Sequence, residues 1–229
     1  MWPSYVKLLK LQEYRGIADK IKYNLDNNLK NVQSTHLTLF KQIIAKYSDN
    51  LSTDSYREIC SKWRGSQGQR GGNTIRGKLR LALPGETTSD FDSILINMFN
   101  IDLGTHFLFR GVNNSTEYAP IEKLTATSIS LEKAYSYGAD PFVVIYVPNQ
   151  TVIGMPVHCR KGAQGTNTDA EILLVDPEMY IEEITDEDSI QTVKEILNAF
   201  FEAKLDEGEE QEDMFEYGIK LYEYSTIDK

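Results

Sequence analysis

The sequence predicts an α+β fold, with helices in the first part of the chain and a sheet in the second. Apolar residues recur at helical spacing over roughly the first hundred positions, and from residue 104 onward they form short runs typical of strands. Helices followed by strands favour an α+β fold over alternating βαβ units. The chain has 229 residues, 41% of them hydrophobic, and is therefore long enough to bury one large core.

Four groups of apolar residues at spacings of three and four predict amphipathic helices in the first part of the chain. Polar residues able to cap a helix precede the third and fourth groups. A glycine-rich basic segment separates these two groups and predicts an exposed loop, from Gly65 to Gly77. The four groups are Leu8 to Leu25, Leu37 to Ile44, Tyr56 to Trp63 and Phe91 to Met98.

Five short apolar runs predict the strands of the second part. After the fourth run, Asp186 to Ala203 returns to helical spacing and leads into an acidic tract at 206–213. This segment predicts an acidic helical insertion near 187–213. The runs are His106 to Phe109, Phe142 to Val147, Ile172 to Val175, Met179 to Ile184 and Phe215 to Tyr224.

The net charge of −10 is divided unevenly along the chain. Residues 1 to 80 carry 15 Lys and Arg against 6 Asp and Glu, a net +9, so the remaining 149 residues carry −19. Opposite charges favour packing of the two parts against each other. A nucleic-acid partner for the basic part is the alternative, although the acidic part would repel phosphate.

Several features predict a cytoplasmic protein without a membrane segment. The longest apolar stretches fall far short of the roughly 20 residues that a membrane helix needs. Met1 to Leu11 offers neither an apolar core segment nor a small-residue cleavage site, so no Sec signal peptide is predicted. Cys60 and Cys159 lie far apart without CxxC spacing, which indicates neither a disulfide framework nor a zinc site.

One segment imitates a nucleotide-binding motif. Gly72 to Lys78 matches the first seven positions of a P-loop, but the eighth is Leu79 where Ser or Thr must reach magnesium. A polar stretch also precedes it, where a P-loop follows a buried strand. Nucleotide hydrolysis is therefore not predicted, and no metal is expected, because the three histidines show no metal spacing.

Three separated segments carry chemically suggestive residues. In the first, Arg110 ends an apolar strand next to Gly111, where its charge must meet solvent or an anion. In the second, a hydroxyl-rich strand end from Leu124 to Ser130 leads into a short helix. In the third, Asp169 and Glu171 precede an apolar strand. Taken singly, each has an ordinary explanation, which for the carboxylates is a solvated strand end.

In this order and at these separations, the three segments resemble the arginine, Ser-Thr-Ser and Glu-x-Glu motifs of the toxin-type mono-ADP-ribosyltransferases, a family that includes bacterial exoenzymes and bacteriophage enzymes. Upstream, Tyr56-Arg-Glu-Ile59 and Trp63-Arg64 resemble the family's helix over the NAD site. The resemblance covers about residues 37 to 225. It implies N-terminal helices packed on a mixed β core of two small sheets, with the transferase domain over 37–229. The first helix and the acidic insertion lie outside the resemblance, and residues 1–36 are predicted to form an N-terminal helical arm.

The resemblance implies a role for each matching residue. Arg110 would hold the phosphates and ribose of NAD, and the backbone of Gly111 would meet the nicotinamide amide. Glu171 would be the catalytic carboxylate, and Asp169 would face the acceptor. The other residues implied to line the NAD pocket are Tyr56, Arg64, Thr127 and Ser128. The implied catalytic set comprises Glu171, Ser128, Arg110 and Asp169.

The sequence departs from the family motifs at three positions. Ala126 stands where the first serine of Ser-Thr-Ser helps to orient the glutamate, and Thr125 or Ser128 is the alternative source of that hydroxyl. Cys60 occupies the position of the asparagine that is usual in the family's helix over the NAD site. Asp169 stands for a Glu or Gln, which leaves the type of acceptor open.

Elementary chemistry is compatible with the implied roles. Cleavage of the nicotinamide glycosidic bond develops positive charge on the ribose, which a nearby carboxylate stabilises. The planar guanidinium of arginine makes paired, charge-assisted hydrogen bonds to a pyrophosphate. A second carboxylate two residues before Glu171 would attract a cationic acceptor such as an arginine side chain.

The sequence therefore predicts an enzyme that transfers ADP-ribose from NAD, as co-substrate, to a macromolecular acceptor, with a protein arginine as the first expectation. Two alternatives stay open. One is an NAD glycohydrolase on the same fold. The other is a non-catalytic module whose basic loop at Gln67 to Arg80 binds an acidic protein or RNA.

Overall fold

The computed structural model describes residues 19–25, 32–65, 89–113, 119–158, 170–203 and 213–225, without the side chains of 32–37, 64 and 65. Four features singled out in the sequence therefore lie outside the described residues. They are the glycine-rich loop beyond Gly65 with its P-loop-like segment, Cys159, Asp169 and the acidic tract at 206–213. In the part of the chain that is described, no helix is both long and apolar enough to cross a membrane.

The helices confirm the predicted helical groups that fall on described residues. Residues 19–25 form helix α1, and the apolar face of the third group lies on a helix of 12 residues. Asp186 caps the predicted acidic helix, because its carboxylate accepts the Ser189 N–H at 2.9 Å. The further helices are α2 Val32–Lys46, α3 Ser48–Leu51, α4 Asp54–Gly65, α5 Ser89–Ile96, α6 Leu131–Tyr135 and α7 Glu187–Glu202, with a 3-10 turn at Pro177–Met179.

The described strands form one six-stranded mixed sheet in the order β1-β2-β4-β3-β6-β5. Four of the five pairings of neighbours in this order are antiparallel, and the β3–β6 pair is parallel. The molecule is therefore α+β, as the order of elements in the sequence predicts. The strands are β1 Phe99–Gly111, β2 Leu124–Ser128, β3 Phe142–Pro156, β4 Glu171–Val175, β5 Ile181–Ile184 and β6 Ile219–Tyr224.

The resemblance implies two small sheets, whereas the described strands form one sheet. The long strand β3 joins them, because it pairs with different strands along its length. Over residues 142–146, β3 pairs with β6, and over 154–156 it pairs with β4. Along almost its whole length it also pairs with β1, from Phe99 opposite Gly154 to Gly111 opposite Phe142. One 15-residue strand thus connects the two halves.

Three clusters of buried side chains pack around this sheet. The first lies between the sheet and helices α1 and α7, and includes Ile21 and Leu25, both fully buried. The second packs residues of β1, β3, β4 and β6 against Phe40 and Ile43 of α2. The third lies under α4 and α5 and packs them on β2, β4 and the end of β3. The described part of the predicted N-terminal arm is therefore part of the core.

Gly111 is a glycine for a packing reason. A Cβ added to it would overlap the carbonyl oxygen of Ala134 and would lie 2.7 Å from that of Gly138. Both atoms belong to the backbone of α6 and the turn after it, so neither can move away cheaply. The end of β1 therefore approaches the α6 backbone more closely than a side chain allows.

We predict that Gly111→Ala destabilises the protein by about 3 kcal/mol, because the methyl group meets backbone on two sides. Urea unfolding followed by circular dichroism measures this free energy. Gly104→Ala is the matched control on the same strand, because nothing lies within 4 Å of its added Cβ and only its positive φ of 61° opposes the change. Equal losses in the two variants would contradict the packing account.

Candidate functional site

The three segments singled out in the sequence lie on adjacent strands. Phe109 of β1 is the register partner of Ser128 on β2, and Ser128 is the partner of Glu171 on β4. Neighbouring strands lie about 4.8 Å apart, so this row brings the three segments within roughly 10 Å of one another. Arg110 follows Phe109 directly, so it lies beside the row, and its side chain leaves β1 on the opposite face.

Glu171 is a buried carboxylate that faces helix α4. Leu173 and Val175 of β4 belong to the cluster under α4, and alternate residues of a strand share a face. Glu171 lies on the same face and is only 6% exposed. Its Oε1 accepts a hydrogen bond of 2.9 Å from the indole Nε1 of Trp63, which is itself buried on α4. The candidate catalytic carboxylate therefore has a fixed partner in the core.

The backbone around Glu171 is held on both sides. Its carbonyl oxygen accepts the Val157 N–H at 2.9 Å, and the Ala170 carbonyl accepts the Ile129 N–H at 3.1 Å. Ala170 has a φ of 43°, in the left-handed region that a non-glycine residue enters at a cost of about 1 to 2 kcal/mol. Strained residues of this kind cluster at functional sites when their surroundings hold them in place.

The hydroxyl groups of β2 have defined hydrogen-bond partners. Thr127, predicted to shape the NAD pocket, donates its hydroxyl to the Ile172 carbonyl at 2.7 Å across the β2–β4 pair. Thr125 donates to the Glu122 carbonyl at 2.7 Å and accepts the Glu122 N–H at 2.9 Å. Ser128 lies opposite Glu171 in the register, and its Oγ accepts the Ser130 N–H at 2.9 Å. Ser128 is therefore the β2 hydroxyl nearest to Glu171 in the register.

Arg110 makes a largely buried ion pair that the sequence did not indicate. Its Nη2 lies 2.7 Å from Oε2 of Glu122, and the side chains are 11% and 21% exposed. Its Nη1 and Nη2 also approach the carbonyl oxygens of Ala126 and Ala119, at 3.4 and 3.5 Å. The Nε of Arg110 is buried and finds no hydrogen-bond acceptor among the described residues. The guanidinium is thus fixed in direction but keeps a donor to offer.

Tyr56 connects α4 to the end of β3. Its hydroxyl donates to the Pro156 carbonyl at 2.5 Å and accepts the His158 N–H at 2.9 Å. The side chain is 1% exposed, so its ring packs in the cluster under α4. Because Val157 in turn bonds to Glu171, Tyr56 supports the backbone next to the carboxylate.

The structure therefore brings Arg110, Gly111, Thr127 and Ser128 onto strands beside Glu171, with Tyr56 on the helix that covers β4. Asp169 and the side chain of Arg64 lie outside the described residues.

Sequence reasoning missed two partners, Trp63 and Glu122. The sequence places Trp63 on an apolar helix face and in the segment that resembles the family's helix over the NAD site, and neither pattern predicts its bond to Glu171. Glu122 precedes β2 in an irregular segment, and no local pattern connects it with Arg110, 12 positions earlier. Packing of α4 on the sheet brings Trp63 to Glu171, and the pairing of β1 with β2 brings Glu122 close to Arg110.

A cavity of about 960 Å³ borders the outer face of α4. Residues of α2, α3 and α4 form most of its described lining, and His158 contributes from the end of β3. Arg110, Ser128 and Glu171 are not part of that lining. Within the described ranges, no group of three or more His, Cys, Asp and Glu side chains could hold a metal ion.

Comparison of the chain with protein-family models, with curated proteins and with solved structures found no match.

We predict that Arg110 and Glu122 are energetically coupled by about 2 kcal/mol, because removing one partner leaves a charge that is mostly shielded from water. Urea unfolding of Arg110→Gln, Glu122→Gln and the double variant measures this coupling. The matched control is the Lys220–Glu183 pair, which has the same 2.7 Å separation but is 46% and 40% exposed. Exposed pairs contribute about 0.2 to 1 kcal/mol, so similar couplings at the two sites would contradict the prediction.

Proposed function

We propose that this chain is a mono-ADP-ribosyltransferase that cleaves NAD, releases nicotinamide and transfers ADP-ribose to a macromolecule. The proposal includes the family's fold, built on the mixed sheet described above. One observation carries it: the row Phe109, Ser128 and Glu171 joins the three motif segments across adjacent strands. Motif segments that are separate in the sequence thus lie on adjacent strands, which supports a shared site.

Glu171 is proposed to stabilise the ribose during bond cleavage. The bond between nicotinamide and the ribose carbon breaks, its electron pair leaves with nicotinamide, and positive charge develops on the ribose ring. A carboxylate held in a largely buried site stabilises that charge more strongly than it would in water. Glu171 meets this requirement because it is 6% exposed and has one oxygen fixed by Trp63. The acceptor then bonds to the ribose carbon and loses a proton.

Arg110 is proposed to bind the pyrophosphate of NAD. A guanidinium carries several N–H donors, and Glu122 occupies only one end of it. The Nε of Arg110 has no acceptor among the described residues but is itself buried, so a phosphate oxygen reaches this donor only if the surrounding side chains move. The ion pair with Glu122 also fixes the direction of the guanidinium before the substrate binds, which favours precise recognition.

The acceptor is proposed to be a macromolecule in a cytosol, with a protein arginine as the first candidate. This part of the proposal depends on the carboxylate of Asp169, two residues before Glu171, which would attract a cationic side chain. Transfer to water would make the chain an NAD glycohydrolase. Binding of an acidic protein or RNA by the basic loop, without cleavage of NAD, would make it a non-catalytic module.

We predict that Glu171→Gln lowers nicotinamide release by on the order of a hundredfold or more, because the amide keeps the shape of the side chain but loses its charge. The experiment incubates the purified full chain with labelled NAD and a bacterial lysate. Nicotinamide is quantified by chromatography, and label on protein or RNA is read after electrophoresis. Glu182→Gln, an exposed position on β5, is the matched control and should retain parental activity.

Each result has a distinct meaning. Label that depends on Glu171 supports the transferase and reveals the acceptor by its size. Nicotinamide release without label supports the glycohydrolase. A Glu171→Gln variant within about tenfold of the parent would remove this residue from the catalytic role. A parent chain that releases no nicotinamide would overturn the proposed function.

A further inference from the structure

The hydrogen bond between Trp63 and Glu171 joins two residues 108 positions apart in the sequence. Trp63 lies near the end of α4, on the face formed with Tyr56, Ile59 and Cys60, and all four side chains are buried. Its ring packs in the same cluster as Leu173 of β4. Because the ring is enclosed by packing, the direction of its N–H group is set by the fold.

On the neighbouring strand, Ser128 lies opposite Glu171 in the register, whereas the residues before it have no hydroxyl directed at the carboxylate in the described contacts. Ala126 has no hydrogen-bonding side chain, and it packs against the cluster that contains Trp63. The hydroxyls of Thr125 and Thr127 are bonded to backbone carbonyls, of Glu122 and Ile172 respectively. Neither threonine hydroxyl is therefore directed at Glu171 in the described contacts.

We infer that Trp63 is a positioning residue that orients the catalytic carboxylate. This inference rests on the proposed function, since it assigns Trp63 a task in the same reaction. An indole N–H can only donate, so it holds Glu171 as an acceptor and favours the charged form of the carboxylate. A donor fixed by core packing also maintains the carboxylate geometry that stabilisation of a developing charge requires.

The contact is tested first without any activity measurement. The chain contains two tryptophans, Trp2 and Trp63, so a ¹⁵N-labelled sample gives two indole N–H signals. Trp63→Phe assigns them by the loss of one. We expect Glu171→Gln to move the Trp63 signal and to leave the Trp2 signal in place. An unmoved Trp63 signal would overturn the inference, whatever the activity of the protein.

The role is tested next by kinetics. Trp63→Phe keeps an aromatic ring in the cluster and removes the N–H donor. We expect kcat for nicotinamide release to fall by on the order of tenfold to a hundredfold, because a hydrogen bond to a charged group is lost. The KM for NAD should change little, and the acidic limb of the pH profile of kcat/KM should move to higher pH, because the charged carboxylate has lost a donor.

Ile94→Val, on α5, is the matched control, because it loosens the same buried cluster without removing a donor. We expect its Tm to fall while kcat and the acidic limb of the pH profile stay at parental values. Trp63→Phe with parental kcat and an unmoved acidic limb would overturn the positioning role. A pH profile that moves equally in Ile94→Val would also overturn it, because loosened packing would then explain the effect.

Failure of the proposed function is distinguishable from failure of this inference. A parent chain that releases no nicotinamide overturns the catalytic role of Glu171 and the positioning role of Trp63. The indole signal still decides whether Trp63 and Glu171 are in contact. An active parent whose Trp63→Phe variant behaves like the parent overturns the positioning role alone and leaves Glu171 as the proposed catalytic residue.

Discussion

The 15-residue strand β3 is the constraint on which the rest of the structure depends. Its first half lies between β1 and β6, and its last residues pair with β4. The last three residues of β3 pair directly with β4. Without them, β4 would contact only β2, and β2 is joined to β1 by a single register pair. The continuation of β3 to Pro156 therefore determines where Glu171 lies relative to Arg110, although β3 contributes no candidate catalytic residue.

The sequence predicted the interior of most elements and missed the outer parts of the two longest strands. β1 begins at Phe99, seven residues before the predicted run, because Phe99, Ile101 and Leu103 alternate with other residues and do not form a continuous apolar run. β3 continues past Val147 through Pro148, Asn149 and Gln150, a combination typical of a turn. The register is irregular between β1 residues 102 and 106, and Asn149 has a φ of 44°. Such an irregularity becomes predictable only when the paired strand is known.

The candidate site shows a different limit of sequence reasoning. The positions of Arg110, Ser128 and Glu171 could be proposed because each has a recognisable residue type at a strand end. Their partners could not, because Trp63 and Glu122 are ordinary residues in their local context. Gly111 illustrates the opposite case, in which a residue of a recognised motif also has a structural explanation. Its glycine matches a motif, yet contact with the backbone of Ala134 and Gly138 already requires a residue without a side chain. A motif residue can therefore satisfy a demand of folding at the position where function is expected.

Helix α4 is attached to the sheet at two points by polar contacts as well as by its apolar face. Tyr56 bonds to the end of β3 and Trp63 to the start of β4, seven residues further along the helix. Seven residues correspond to about 10 Å, so the two bonds resist both rotation of the helix about its axis and sliding along it. The helix, the end of β3 and the start of β4 consequently behave as one mechanical unit. We expect a displacement of any of the three to move the carboxylate of Glu171.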